Sequence, residues 1–186
     1  MNVFSATALG IWLALIAASA AIWWLSERSN KAALARTSLL VGIVGGEVLI
    51  TIAVAVLAAV GGPLAAPWSW LAAGVAAAAA GVTGGTVTLT VLSLADASNR
   101  PGKTRVQRTV LRGGAWIGAL ERLATFGTLL AEWPEGLVAI VAVKAFARYP
   151  ELSTGQATGA IERFIIGTFT SLGWAAICAG IATIFI

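Results

Sequence analysis

Seven residues with the chemistry to bind or move charge sit inside or at the edge of long apolar runs: Glu47, Glu121, Arg122, Lys144, Arg148, Glu162 and Arg163. A charge at the centre of a bilayer costs a few kcal/mol, so such side chains face a cavity or one another. Two kinds of chemistry follow. The set can line a polar pocket that admits an ion, a solute or a lipid headgroup. Alternatively, with four positive and three negative members, it can form interhelical ion pairs that fix packing and hold no ligand. Lys144 and Arg148 also read as basic anchors whose long side chains reach out to the membrane surface.

Other chemistry is poorly supplied. The chain has no histidine, which removes the commonest general base and metal ligand. Its one cysteine, Cys178, lies in an apolar run and allows neither an internal disulfide nor a cysteine-based metal site. Asp96 is the sole aspartate, and no nucleophile–base pair is visible. The expectation is no catalytic residue, no metal and no cofactor, with an intramembrane enzyme only the third reading.

The elements that position these charges follow from composition. Of 186 residues, 59% are hydrophobic and 11% charged, against about 25% charged in soluble domains. Apolar runs of about 20 residues match the bilayer's hydrocarbon thickness. The expected fold is all-α, a single-domain polytopic integral membrane bundle of about six transmembrane helices. The spans read as about 3–25, 39–60, 71–94, 115–131, 136–149 and 164–186. Ala18-Ser19-Ala20 looks like a signal-peptidase site, but no basic residue precedes the apolar stretch, which continues through Trp23 and Trp24, so the first span reads as retained. The fifth span is short, and a re-entrant segment is its alternative.

Charge asymmetry orients the bundle. Three basic residues lie between Arg28 and Arg36 and five between Arg100 and Arg112, while the even-numbered loops carry only Glu132 and Glu135. The positive-inside bias then places both termini outside and the basic loop 95–112 in the cytoplasm. In that loop Arg105, Arg108 and Arg112 recur at helical spacing, as in a short helix lying on anionic phospholipid headgroups. Basic clusters beside apolar spans read as membrane topology signals and not as nucleic-acid contacts.

At a rise of 1.5 Å per residue, Glu47, Glu121, Arg122 and Lys144 all come out roughly 10–12 Å from the cytoplasmic end of their spans. The threonines of the third span, Thr86 and Thr90 among them, share that half, and the matched depths predict one pocket open to the cytoplasm. Glu121 and Arg122 point about 100° apart and should meet different neighbours, with Glu121 pairing to Lys144 or Arg148. Gly42 with Gly46, Gly81 with Gly85, and Gly114 with Gly118 have the spacing of close helix contacts, within one chain or between copies in a homo-oligomer. Gly84-Gly85 reads as small residues at a helix contact, or else as a local break. Gly118-Ala119-Leu120-Glu121-Arg122 is echoed by Gly159-Ala160-Ile161-Glu162-Arg163, either a parallel repeat or chance.

Three segments resemble a family of uncharacterised bacterial membrane proteins. They are Trp116-Ile117-Gly118-Ala119-Leu120-Glu121-Arg122, the span with Lys144 through Arg148 to Tyr149, and Ile166-Gly167-Thr168 with Ser171. The resemblance covers about 113–180 and implies a recurring unit in a multi-pass protein of the bacterial cytoplasmic membrane; it implies no activity. The residues themselves point first to a small transporter or channel-like protein with a charged pocket. The second reading is a non-catalytic scaffold that binds anionic lipid or a partner membrane protein through its basic surface.

Topology is testable with single cysteines. With Cys178 replaced by serine, cysteines at positions 29, 69, 98 and 153 should differ toward an impermeant thiol reagent in intact cells, and only position 69 should label. Labelling at 153 would favour the re-entrant fifth segment.

Overall fold

A computed structural model describes residues 3–28, 37–99, 112–153 and 158–186, all helical apart from short connections. In order they are α1 (Val3–Arg28), α2 (Thr37–Gly61), α3 (Trp68–Asn99), α4 (Arg112–Leu130), α5 (Glu135–Ser153) and α6 (Thr158–Phe185). No strand occurs among the described residues. Four helices, α1, α2, α3 and α6, are long and apolar enough to cross a membrane. The remaining two, α4 and α5, are 19 residues each and carry more charge.

Helix bounds run past the apolar runs because helix formation does not stop where hydropathy does. The α3 helix continues through Leu94-Ala95-Asp96-Ala97-Ser98-Asn99, with no glycine or proline to end it before Pro101. Its 32 residues extend roughly 48 Å, well beyond a hydrocarbon core of about 30 Å. The glycine pair at 84 and 85 does not break it, so the contact reading of that pair is the one the structure bears out.

The α3 helix is the spine, packing against α1, α2, α4 and α6. Ala72, Ala76, Ala79 and Ala80 are buried along it, and such short side chains let neighbours approach closely. Around them Trp12, Val54, Phe126, Trp174 and Phe185 fill the core. The α6 helix runs antiparallel to α3. The amide of Leu64, in the α2–α3 connection, bonds to the carbonyl of Phe185 at one end, and Asp96 meets Arg163 at the other.

The α5 helix packs chiefly on α4 as the second arm of a hairpin. Most of its apolar surface is bare, including Val138, Val143, Phe146 and Tyr149. The hairpin closes tightly. Any Cβ at Gly136 would collide with the Thr128 methyl and crowd the Trp133 ring, so glycine is required there. The basic segment with Arg105 and Arg108 lies outside the described residues, and Arg112 opens α4.

Candidate functional site

Glu47 faces the α1–α2–α3 junction and is only 2% exposed. Ser19 of α1 donates a 2.8 Å hydrogen bond to its Oε1. The Thr86 hydroxyl of α3 lies 2.9 and 2.8 Å from the two carboxylate oxygens. On the next turn of α2, Thr51 donates back to the Glu47 carbonyl at 2.7 Å, the usual use of a hydroxyl inside a helix. No lysine or arginine among the described residues pairs with this carboxylate.

Beside Glu47 lies a cleft of about 200 Å³ between α1 and α2, lined by both Glu47 and Ser19. Its walls are otherwise apolar, and Gly42 and Gly46 flatten the α2 side. A Cβ at either glycine would touch nothing within 4 Å, so this pair is not a close contact inside the chain.

Arg122 is also buried, 5% exposed, but on the other side of α3. Its Nε donates to the Ala80 carbonyl at 3.0 Å and its Nη2 to the Gly81 carbonyl at 2.7 Å. Its Nη1 reaches Ser171 Oγ of α6 at 3.4 Å. Backbone carbonyls within a helix keep a second lone pair, so α3 loses none of its own hydrogen bonds. Gly84 makes the crossing sterically feasible. A Cβ there would lie 2.5 Å from Arg122 Cδ and 3.0 Å from the Trp174 ring. Trp174 in turn donates to Thr83 Oγ1 at 2.8 Å, a second polar tie between α6 and α3.

Two ion pairs join neighbouring helices. Lys144 Nζ of α5 meets Glu121 Oε2 of α4 at 2.5 Å, both side chains 18% exposed. Arg163 pairs with Asp96. Glu121 and Arg122 therefore meet different neighbours, α5 for one and α3 with α6 for the other. Arg148 and Glu162 are exposed. Thr90 is buried and donates to the Thr86 carbonyl, reinforcing α3 without facing a charge.

The seven charged residues do not converge on one pocket. At about 100° per residue, Thr86 lies roughly 170° around α3 from the Ala80–Gly81–Gly84 face. Glu47 and Arg122 share a helix as support while occupying opposite sides of it. Matched depth placed them at one level, but it carried no information about direction around the axis. Ser19, Thr83, Ser171, Trp174 and Asp96 all take part, and no spacing in the sequence singled out their partners. Ser171 at least lies in one of the segments that carry the family resemblance.

Among the described residues, no three histidine, cysteine, aspartate or glutamate side chains gather as a metal site would require. The chain matches no known family, and no curated protein or solved structure is detectably similar to it. The resemblance over 113–180 thus rests on its motifs alone.

The Glu121–Lys144 pair predicts a non-additive double mutant. Glu121→Gln leaves a partly buried ammonium without its carboxylate and should cost about 1–3 kcal/mol in detergent unfolding. Lys144→Met in the same background should recover part of that loss. Simple additivity of the two substitutions would mean that the pair contributes nothing.

Proposed function

We propose that the chain is a small integral membrane protein of the transporter or channel-like kind, and that Glu47 is the group that handles the moving species. One observation carries this reading. Among the described residues, Glu47 is a buried carboxylate held by two hydroxyls, beside a cleft, while Arg122 is tied to carbonyls and Glu121 to an opposite charge. If packing were its only task, an apolar residue would serve α2 better. An intramembrane acid without a counter-charge is by default a site for an ion, a proton or a substrate.

In this reading α4 and α5 complete a six-span bundle as a hairpin, with both termini outside and the basic segment in the cytoplasm. Arg122 and the Glu121–Lys144 pair hold the bundle together and do not contact the moving species. The bare apolar face of α5 meets acyl chains or a second copy in a homo-oligomer. The membrane is the bacterial cytoplasmic one.

The scaffold reading keeps one supporting observation, the five basic residues between Arg100 and Arg112. Each basic residue near an anionic leaflet contributes about 1 kcal/mol, and salt screens that attraction.

Proteoliposomes holding a pH-sensitive dye separate the two. The wild-type protein should dissipate an imposed pH gradient at least tenfold faster than Glu47→Gln. Replacement of Arg105, Arg108 and Arg112 by glutamine should leave that rate within twofold. Equal rates for wild type and Glu47→Gln would remove Glu47 from the transport role. No flux, with anionic-lipid enrichment abolished by the triple replacement, would favour the scaffold.

A further inference from the structure

We propose that Arg122 holds a small monovalent anion of the halide type, such as chloride, between α4 and α6, together with the hydroxyls of Ser171 and Thr168. The ion is resident in the bundle and separate from the species that Glu47 handles.

Arg122 is a buried positive charge with no carboxylate against it among the described residues, since Glu121, its neighbour in sequence, is turned to Lys144. Two carbonyls take its Nε and Nη2, and they bring no net charge. The Nη1 corner is less well served. A guanidinium has five N–H groups to place, and Nη1 has one hydrogen bond, to Ser171 Oγ at 3.4 Å. With Glu121 and Lys144 cancelling, one positive charge remains between the helices, and a monovalent anion neutralises it.

The surroundings of Nη1 supply donors and room. Thr83 and Thr88 of α3, Thr125 of α4 and Thr170 of α6 each donate to a carbonyl of the preceding turn of their own helix. Thr168 and Ser171 do not. Thr168 Oγ1 is buried without a hydrogen-bond partner among the described residues, a costly state that calls for a bound species. Ser171, 3% exposed, accepts from Nη1 and keeps its own proton to donate. The two are three apart on α6, so they share a face with Cβ atoms about 5–6 Å apart, a gap that one ion bridges. On α4, Gly118 leaves the flank of Nη1 clear. A Cβ there would lie 3.3 Å from Nη1 and would meet nothing else within 4 Å. Nη1 and the two hydroxyls all donate, which selects an anion over a metal ion. Three donors around one small gap suit a spherical halide, whereas a phosphate would bring more oxygens than they can serve. A water molecule would satisfy the same hydroxyls and leave the charge, so the two differ in their response to salt.

Thermal unfolding of the purified protein in a neutral detergent, with chloride replacing gluconate at constant ionic strength, tests the proposal beside equilibrium dialysis with radioactive chloride. Wild type should bind one equivalent, and its Tm should rise saturably as chloride replaces gluconate. Thr168→Val keeps the shape of the side chain and removes the hydroxyl. It should weaken binding about tenfold, the loss of one hydrogen bond to a charge. In gluconate the same variant should be at least as stable as wild type, because the orphan hydroxyl is gone. Gly118→Ala should weaken binding as well, by crowding Nη1. Arg122→Gln should abolish binding, but that variant can fail to fold, so Thr168→Val and Ser171→Ala carry the test. Near-UV circular dichroism from the tryptophans checks that each variant is folded. The proposal is overturned if wild type shows no saturable response to chloride, which is the result for a water alone in the gap. It is equally overturned if Thr168→Val and Ser171→Ala bind chloride as wild type does.

Discussion

The arrangement of the C-terminal half depends on one guanidinium. Arg122 sits on α4, a 19-residue helix that carries charge in its middle, and it meets α3 at two carbonyls and α6 at Ser171. In an apolar medium an unpaired donor costs more than a hydrogen bond normally contributes, so these bonds dictate where α4 must lie. They also dictate the sequence of α3 beneath them. Gly84 has to lack a side chain for the arginine stem to lie across it, and Trp174 closes the same contact from α6.

Against that background the charges divide into two kinds. Lys144 with Glu121 and Arg163 with Asp96 are ion pairs between neighbouring helices, and Arg122 is met by carbonyl dipoles. Each is the physical answer to the cost of burying charge, and each ties two or three helices. Glu47 is different. Its partners are two hydroxyls, one of which has a second acceptor at shorter range. Hydroxyls can reverse direction at little cost, whereas an ion pair cannot change its charge without breaking.

Much of the helical layout was legible in the sequence, because apolar runs of span length leave few alternatives. The ends were less so. Asp96 reads as loop by hydropathy, yet it belongs to α3 and pairs across to α6. Depth along each span was legible too, through a constant rise per residue. Direction around the axis was not, since it depends on which helices become neighbours. That is why Glu47 and Arg122 looked like members of one pocket and lie on opposite sides of α3. Ser19 stands in a stretch that resembles a cleavage site, and nothing in that stretch pointed to its bond with Glu47. The Glu121–Lys144 pair was within reach because both its depth and its charge were defined.

The central claim is that Glu47 is an exchangeable carboxyl beside a cleft, while Glu121 is a fixed partner of Lys144. Reaction of the membrane-embedded protein with a lipophilic carbodiimide, followed by peptide mass spectrometry, compares the two directly, because the reagent enters from the hydrocarbon phase and attacks protonated carboxyls. The account predicts modification at Glu47, absent from Glu47→Gln, with Glu121 left intact. Modification of Glu121 with Glu47 untouched would contradict it.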